Sequence, residues 1–413
     1  MYSQFDEVID RKNTNSLKYD FASERGKPTG ILPLWVADMD FKTCPAVTRV
    51  LEKYIKTGIF GYSECKEDYF EALHNWYLNY FNWNIKKEWL VKTPGVVFAI
   101  CTAIRALTRE GDAVLIQRPV YYPFSQSVLA NNRTLVNNPL VYSKEKYSIN
   151  FEDFENKIIQ NKVKLFLLCS PHNPVGRVWT REELIRMGDI CVKYDVAILS
   201  DEIHADFTYH GFQHSVFASL KPEYQDRTIT CTSPSKTFNL AGLQVSNIFI
   251  SNPEIRRKFK DEVKKTGYSQ LNCIGLAACQ AAYECGRPWL EELKQYLTSN
   301  LSYLRDYLKR HISQVKLVEP QGTYLVWLDF NGLQLNEDQL EDLVVNHAKL
   351  WLDRGVLFGE EGKGFERINI ACPRATLKKA MKQLQKTVDD YYSNRKANFR
   401  FQTISTSFSA REL

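Results

Sequence analysis

Runs of apolar residues alternate with amphipathic segments through the middle of the chain, the pattern of strands alternating with helices. Residues 96–110 are nearly all apolar over a helical length and end at Gly111, a residue typical of helix C-caps. Thr180, with Glu183 three residues later, forms a capping-box pattern that predicts a helix start. Apolar runs predict buried strands at 113–117, 164–169, 196–200, 227–231 and 245–250. Strands joined by helices in this way are parallel, so we expect an α/β sheet with helices on both faces.

The pattern changes after about residue 285 and predicts a second, smaller α+β domain. Helices are expected at 288–311, 338–350 and 374–392, and strands near 316–319, 323–330 and 366–371. Residues 394–413 are rich in Ser, Arg and Asn and lack periodicity, which is typical of a flexible end. We therefore divide the chain into an N-terminal arm (1–45), a large domain (46–285), a small C-terminal domain (286–393) and a tail (394–413).

Composition narrows the class of protein but does not identify it. The chain has 413 residues, of which 44% are hydrophobic and 25% charged, as in ordinary globular proteins. The net charge is only +6, and basic residues do not cluster on one element before the C-terminal helix, so no nucleic-acid partner is expected. Neither a signal peptide nor an apolar run long enough to span a membrane is evident. The ten cysteines form no CxxC pair, which predicts reduced thiols, no metal site and a cytoplasmic protein.

Polar residues follow three consecutive predicted strands, each beside Ser, Pro or Gly. Asn173, Asp201 and Lys236 follow the second, third and fourth of the runs given above. Because the carboxyl ends of parallel strands meet at one edge, where α/β proteins bind ligands, we expect these side chains to converge on one crevice. Taken singly, each has an ordinary explanation, since polar residues often follow strands and most lysines are exposed.

Taken together, these groups have the chemistry of a site for pyridoxal phosphate. A partly buried lysine has a lowered pKa and forms a Schiff base with an aldehyde. The aspartate would pair with a protonated pyridine nitrogen, and the asparagine would donate to the ring oxygen. The helix that starts at Val96, after Gly95, offers free N–H groups to a phosphate, and Ser233 and Ser235 could add hydroxyl donors.

Several longer motifs surround these residues and carry a family resemblance. They are 35–41 (WVADMDF), 61–62 (GY), 93–97 (TPGVV), 119–121 (PVY), the Asn173 loop at 170–176 (SPHNPVG), 200–204 (SDEIH), 233–244 (SPSKTFNLAGLQ) and 367–374 (RINIACPR). On these motifs the chain resembles the fold-type I pyridoxal-phosphate enzymes of the class I/II aminotransferase superfamily, and among them the MalY/PatB-like cystathionine β-lyase branch. The resemblance covers about residues 1–393. It implies an aspartate aminotransferase-like fold, with a mainly parallel seven-stranded sheet between helices and a smaller α+β domain.

The resemblance also implies a role for each matching residue. Lys236 would hold the cofactor and then move the substrate Cα proton, with Tyr121 stacked on the ring as its catalytic neighbour. Tyr62 would reach the phosphate of a neighbouring subunit, which implies a homodimer. His204 stands where many aminotransferases carry a tyrosine; a structural histidine is the favoured interpretation of this position, and a cofactor contact is the other. The residues implied in cofactor binding are Lys236, Asp201, Asn173, Tyr121, Val96, Val97, Ser233, Ser235, Tyr62 and His204.

The substrate side of the implied site involves fewer residues. Arg367 would clamp the α-carboxylate of an amino acid, because a guanidinium binds a carboxylate through two parallel hydrogen bonds. Ala37 and Asp38, in the WVADMDF motif, are the other substrate-binding candidates. Many aminotransferases place an arginine eight residues after the lysine, whereas this chain has Gln244 there, which favours the lyase branch.

Three functions are compatible with these residues. The first is a pyridoxal-phosphate-dependent C–S β-lyase that cleaves L-cystathionine or related cysteine S-conjugates to a thiol, pyruvate and ammonia. The second is an aminotransferase of the class I/II type, which would use the same residues. The third is a regulator that has kept the fold and lost the chemistry.

Overall fold

The computed structural model describes residues 3–408, and from residue 394 onward it describes the backbone alone. The helices of this part are α1 (Pro45–Thr57), α2 (Glu67–Phe81), α3 (Val96–Leu107), α4 (Pro123–Ala130), α5 (Phe151–Asn161), α6 (Arg181–Lys193), α7 (Pro222–Gln225), α8 (Pro234–Thr237), α9 (Pro253–Lys265), α10 (Cys273–Cys285), α11 (Arg287–His311), α12 (Glu337–Glu341) and α13 (Arg374–Phe408). The strands are β1 (Leu32–Pro33), β2 (Leu90–Thr93), β3 (Ala113–Ile116), β4 (Thr134–Asn137), β5 (Val141–Ser143), β6 (Lys146–Ser148), β7 (Leu165–Cys169), β8 (Ala197–Asp201), β9 (Thr228–Thr232), β10 (Ser246–Ile250), β11 (Lys316–Leu317), β12 (Leu325–Asp329), β13 (Leu350–Trp351), β14 (Asp353–Arg354) and β15 (Phe365–Asn369).

A seven-stranded sheet forms the centre of the large domain, in the order β2-β10-β9-β8-β7-β3-β4. All neighbours pair in parallel except β10, which is antiparallel to both β9 and β2. The sheet is therefore mainly parallel, and β2 points the same way as β7, β8 and β9. The segments that follow these four strands emerge at the same edge of the sheet.

The apolar runs of the strands are buried because both faces of the sheet are covered. Along β7, Leu165 and Leu167 point into one core, with α3, and Phe166 and Leu168 point into the other, with α6. Successive side chains of a strand alternate between faces, so a continuous apolar run signals burial on both sides. The capping box at Thr180 is formed as predicted, with its side chain accepting from the Glu183 N–H.

The C-terminal part carries a four-stranded antiparallel sheet in the order β11-β12-β15-β14, packed with α11 and α13. The N-terminal segment joins this part of the chain, because β1 pairs in parallel with β13. The Leu34 carbonyl also accepts from Asn369 N–H at 2.8 Å, and the Asp40 N–H donates to Ala371 O at 2.9 Å. Residues 35–41 therefore lie between the small sheet and the large one.

Several boundaries differ from the sequence prediction. Helix α3 ends at Leu107 and is capped by Thr108, so Gly111 is not its C-cap; Gly111 lies in the following turn at φ 84°. The predicted helix 338–350 is two short pieces, α12 and a π-helical turn at 342–347, followed directly by β13. Strand β11 covers only two residues of the predicted 316–319.

The end of the chain also differs from the prediction. Helix α13 continues to Phe408, so the backbone of residues 394–408 is helical where an irregular tail was expected. Among the residues of α13 whose side chains are described, Val388 is the last buried one. The rest of the predicted tail, residues 409–413, lies outside the described residues. Within residues 3–408, no helix is long and apolar enough to cross a membrane.

Candidate active site

A cavity of ≈ 220 Å³ opens at the edge of the large sheet where β2, β7, β8 and β9 end. Each of these strands leads directly into a segment that lines the cavity. This is the edge at which open α/β sheets bind ligands. Most of the residues singled out in the sequence meet here: Ala37, Val96, Val97, Tyr121, Asn173, Asp201, His204, Ser235 and Lys236.

Lys236 enters the cavity from α8, the short helix that follows β9. Its Nζ donates a hydrogen bond to the Ala37 carbonyl oxygen at 2.9 Å. Burial lowers the pKa of Lys236 to about 8, and the positive charge of Arg367 acts in the same direction. The amine therefore has a substantial neutral fraction near pH 8, and only the neutral amine is a nucleophile or a base.

Asp201 is the last residue of β8 and lies in register between Cys169 and Cys231 of the neighbouring strands. Its carboxylate accepts from the Ile203 N–H at 3.2 Å and forms no ion pair in the described part of the chain. Burial raises the pKa of Asp201 to about 7, although the positive charge of Lys236 opposes the shift. A buried carboxylate of this kind needs a cationic partner, and a protonated ring nitrogen would provide one.

Asn173 follows β7 and connects two other candidates. Its backbone carbonyl accepts from the Tyr121 N–H at 3.0 Å, which holds Tyr121 at the cavity wall. Its side-chain Oδ1 accepts from Arg367 Nη1 at 3.0 Å. The Nδ2 group forms no hydrogen bond to the described residues, so it is available to donate to the ring oxygen of a cofactor.

Arg367 is buried on β15, directly opposite Asp353 of β14. Its Nη2 donates to the Trp35 carbonyl at 2.9 Å and forms an ion pair with Asp353. A guanidinium has five N–H donors, so these contacts leave Nε–H and one N–H of Nη1 without a partner among the described residues. Asp353 was missed in the sequence because nothing near it marks it as part of a site.

The phosphate end of the predicted site is the start of α3. Gly95 is the N-cap residue, at φ 144°, and the amides of Val96 and Val97 lie in the first turn, where N–H groups have no partner within the helix. Ser235 lines the same cavity. Free amides at a helix start suit an anion such as phosphate, and a serine hydroxyl in the same cavity could add a contact.

Ser233 is placed differently from the expectation. Its hydroxyl donates to the Val245 carbonyl at 2.7 Å, and its oxygen accepts from the Ser235 N–H at 3.1 Å as the cap of α8. A hydroxyl has a single hydrogen, which is already used. Ser233 does not line the cavity, so the structure gives it a capping role. Ser235 lines the cavity, with its Oγ 2.8 Å from the Ser233 Oγ, so of the two serines only Ser235 is placed to contact a ligand.

His204 and a residue that the sequence did not indicate, Tyr324, lie side by side with ring centroids 6.0 Å apart. The His204 Nδ1 is buried without a hydrogen-bond partner in the described chain. Burial lowers the pKa of His204 to about 3, so the imidazole is neutral. The Nδ1 atoms of His172 and His214 are buried and unpartnered in the same way, so His204 is assigned to the cavity wall on its position there and not on this atom. The Tyr324 hydroxyl donates to the Ala37 carbonyl at 3.1 Å.

Of the two substrate-binding candidates in the WVADMDF motif, only Ala37 lines the cavity. The Asp38 carboxylate instead pairs with Arg11 at 2.7 Å and with the buried Lys18 at 3.4 Å. These cations lower the pKa of Asp38 despite its burial. The Asp38 side chain therefore anchors the segment to the N-terminal arm rather than facing the cavity.

Tyr62 is separate from the other candidates. Its side chain is 96% exposed, and it does not line the cavity of its own chain. Exposed apolar side chains precede it at Ile55, Ile59 and Phe60. This position is compatible with the predicted reach into a neighbouring subunit.

The chemistry of the cavity fits pyridoxal phosphate at each end. A lysine with a lowered pKa suits the aldehyde, and an unpaired buried carboxylate suits the ring nitrogen. Unpaired amides at a helix start suit the phosphate. Residues 29–384 match the family described as aminotransferase class I and II, and the chain belongs to this family.

Two relatives within the family show which of its branches this chain resembles. The chain is 39% identical to cystathionine β-lyase PatB of Bacillus subtilis, over 92% of this chain and 98% of the relative. It is 32% identical to the protein MalY of Escherichia coli, over 91% of this chain and 96% of that protein. These matches confirm the family and the branch that the sequence motifs indicated.

Two solved structures support the same placement. Cystalysin of Treponema denticola, which contains a pyridoxal 5′-phosphate cofactor, superposes with a TM-score of 0.91 at 36% identity, covering 95% of this chain and 100% of that one. The pyridoxal-phosphate-bound C–S lyase of Staphylococcus hominis gives a TM-score of 0.87 at 32% identity, covering 94% and 98%. The predicted fold class is thereby confirmed.

Proposed function

We propose that the protein is a pyridoxal-phosphate-dependent C–S β-lyase acting on L-cystathionine or related cysteine S-conjugates. The observation that carries the proposal is that one cavity contains both Lys236 and Asp201. The pKa of Lys236 is lowered, and the Asp201 carboxylate forms no ion pair in the described part of the chain. The relatives named as cystathionine β-lyase and C–S lyase support the choice of reaction. Gln244, in place of the arginine of many aminotransferases, supports it further.

Each residue of the cavity has a defined task in this proposal. When bound, pyridoxal phosphate would supply an aldehyde for Lys236 and a cationic ring that draws electrons away from the substrate Cα. Asp201 would keep the ring nitrogen protonated, and Asn173 would donate to the ring oxygen. The amides of Val96 and Val97, with Ser235, would bind the phosphate.

The substrate is bound and deprotonated by the protein's own groups. Arg367 would bind the α-carboxylate through its unpaired N–H donors, which fixes the orientation of the Cα–H bond. Lys236 Nζ would take the Cα proton, and the sulfur on Cβ would leave with the electron pair of the C–S bond. The thiolate takes up a proton, and hydrolysis of the three-carbon remainder yields pyruvate and ammonia.

The proposal is tested by incubating the purified protein with pyridoxal phosphate and L-cystathionine in the absence of any keto acid. Free thiol and pyruvate should appear in equal amounts, and Lys236→Ala should form neither. Product that appears only after a keto acid is added would show an aminotransferase instead. No product under either condition would favour a regulator.

We further propose that the protein is a cytoplasmic homodimer in which Tyr62 completes the partner's site. The exposed apolar side chains of Ile55, Ile59 and Phe60 next to Tyr62 support a subunit interface there. The ten cysteines are unpaired in the described chain, which suits a reducing compartment.

A further inference from the structure

The backbone of residues 35–41 forms no helix or strand, and apart from the Asp40 N–H bond to the Ala371 carbonyl its hydrogen bonds are made by side chains of distant elements. This segment passes between the small sheet and the cavity, so its peptide groups cannot all turn to water. Buried backbone groups need partners, and here asparagines supply them from both sides. Asn239, just after the Lys236 helix, accepts from the Met39 N–H at 2.9 Å and donates to the Met39 and Phe41 carbonyls, each at 3.0 Å.

Asn369, the last residue of β15, holds the other half of the segment. Its Nδ2 donates to the Val36 carbonyl at 2.7 Å and to the Asp38 carbonyl at 2.6 Å. Its Oδ1 accepts from the Ala371 N–H at 2.8 Å, which fixes the amide group itself. The side chain is fully buried, so these bonds are not exchanged with water.

The carbonyl between those two, that of Ala37, is left to face the cavity. It accepts from Lys236 Nζ at 2.9 Å and from the Tyr324 hydroxyl at 3.1 Å. A carbonyl oxygen has two lone pairs, and these two donors use both. The acceptor of the reactive amine is therefore a backbone carbonyl whose two neighbouring carbonyls, of Val36 and Asp38, are held by Asn369.

We propose that Asn369 is a positioning residue for Lys236: by holding residues 36–38, it keeps the Ala37 carbonyl as the hydrogen-bond acceptor for the lysine amine whenever that amine is free. The inference rests on the proposed function only in taking Lys236 as the reactive amine. An acceptor favours the protonated amine, because hydrogen bonds to a charged form stabilise it. It also directs the remaining N–H groups and the lone pair.

The test compares Asn369→Ala with Asn300→Ala, a closely matched control. Asn300 is also fully buried, and its Nδ2 likewise donates to two carbonyls separated by one residue, Ile370 and Cys372, each at 2.9 Å. Its Oδ1 also accepts one hydrogen bond, from Arg374. Both variants lose three hydrogen bonds in the same part of the fold, but none of those of Asn300 goes to residues 35–41.

The first readout uses the apoenzyme and requires no turnover. The rate of its covalent reaction with pyridoxal phosphate is followed against pH by visible absorbance, and the midpoint reports the ionisation of Lys236. We expect the midpoint to fall by roughly one pH unit in Asn369→Ala, because the protonated amine loses an acceptor. In Asn300→Ala it should stay at the wild-type value.

The second readout uses the holoenzyme with Cα-deuterated and unlabelled substrate. In Asn369→Ala we expect kcat to fall roughly tenfold and the deuterium isotope effect to rise, because the amine that takes the Cα proton is misdirected. KM should change little, since Arg367 keeps its own partners. Asn300→Ala should show the wild-type isotope effect even if the substitution lowers the stability of the protein.

An unchanged midpoint in Asn369→Ala, or equal changes in the two variants, would overturn the inference. If Asn369→Ala does not fold, Asn369→Thr takes its place, since threonine suits a strand and keeps one donor. It should then give a smaller shift of the midpoint in the same direction, and no shift would again overturn the inference. A wild type without lyase activity would count against the proposed function alone, because the apoenzyme readout does not depend on it.

Discussion

Lys236 and Asp201 are ionisable groups whose surroundings move their pKa values towards each other. In water a lysine amine is protonated and an aspartate is ionised at neutral pH. In the cavity the pKa of Lys236 falls to about 8 and that of Asp201 rises to about 7, each mainly because burial disfavours the charged form. Pairing with a cofactor would reverse the second shift, since a ring cation would stabilise the aspartate anion.

The lowered pKa of Lys236 predicts how the apoenzyme takes up its cofactor. Only the neutral amine attacks an aldehyde, so the rate of covalent capture should rise with pH and level off, with a midpoint near 8 rather than the 10.5 of an ordinary lysine. Stopped-flow absorbance with pyridoxal phosphate measures this profile. Lys236→Ala, which has no amine, should show no covalent capture. A midpoint near 10.5 in the wild type would contradict the assignment of the amine to a desolvated cavity.

The role proposed for Arg367 predicts that its substitution affects substrate binding more than the chemical step. In Arg367→Lys the planar set of N–H donors is lost while the charge remains, and KM for L-cystathionine should rise roughly 10- to 100-fold with a smaller change in kcat. Arg354→Lys, in the adjacent strand β14, is the control, because Arg354 is ion-paired with Glu341 away from the cavity. Steady-state kinetics of both variants provide the measurement. A KM equal to that of the wild type in Arg367→Lys would remove Arg367 from substrate binding.

At the scale of elements, the start of α3 depends on the backbone of Gly95. Its φ of 144° and ψ of 158° lie in a region that only glycine adopts without strain, and a Cβ there would meet no atom within 4 Å. Gly95→Ala should therefore act through the backbone and turn the first amides of the helix away from the phosphate. We expect a loss of stability of about 1–3 kcal/mol and a weaker affinity for pyridoxal phosphate.

Gly111→Ala is the control for this effect. Gly111 also has a positive φ, 84°, and open space around its Cβ position, but it lies in the turn after α3, at the opposite end of that helix. It should lower the melting temperature without changing cofactor affinity. If both variants bind pyridoxal phosphate as tightly as the wild type, the start of α3 does not form the phosphate site.

The elements of the large domain could be predicted because their signals are local. A strand buried on both faces is an apolar run, and β7, β8 and β9 start and end within one residue of the runs read from the sequence. The polar residues after them then had to meet at one edge. The end of α3 was not predictable in the same way, since Thr108 caps it ahead of a more typical glycine.

The contacts that the C-terminal part makes around Lys236 and Arg367 could not be derived from local signals. Asp353 meets Arg367 through the pairing of β14 with β15. Tyr324, just before β12, meets the Ala37 carbonyl that Lys236 also contacts only when the small sheet folds against the large domain. Asn369 lies in the 367–374 motif, two residues after Arg367 on the same strand. Its place in that motif was the one feature of the sequence that could have marked it as part of the site. Ser233 shows the converse, because its place beside Ser235 suggested a ligand contact while its hydroxyl caps a helix.

At the scale of the whole molecule, the cavity of a single chain does not contain Tyr62, the tyrosine that the family resemblance assigns to phosphate binding. Tyr62 is exposed, and it follows a surface on which Ile55, Ile59 and Phe60 are more than half exposed. Apolar side chains grouped in this way on a surface mark an interaction site. In the proposed homodimer, a second copy of the chain would bury them and bring a Tyr62 to each cavity.

This arrangement predicts that two defective variants regain activity when they are mixed. Lys236→Ala lacks the reactive amine. Tyr62→Ala should bind pyridoxal phosphate more weakly, because the cofactor phosphate in the neighbouring subunit loses a hydrogen-bond donor. In a mixed dimer, the site in the Tyr62→Ala chain has an intact Lys236 and receives the intact Tyr62 of the Lys236→Ala chain, so this site is wild type. The site in the Lys236→Ala chain lacks the amine and receives the substituted residue 62, so it carries both defects. Co-refolded mixtures, assayed at limiting cofactor, should therefore exceed the sum of the two variants measured alone. If Tyr62 served its own chain, each site of the mixed dimer would carry one defect, and mixing would restore nothing.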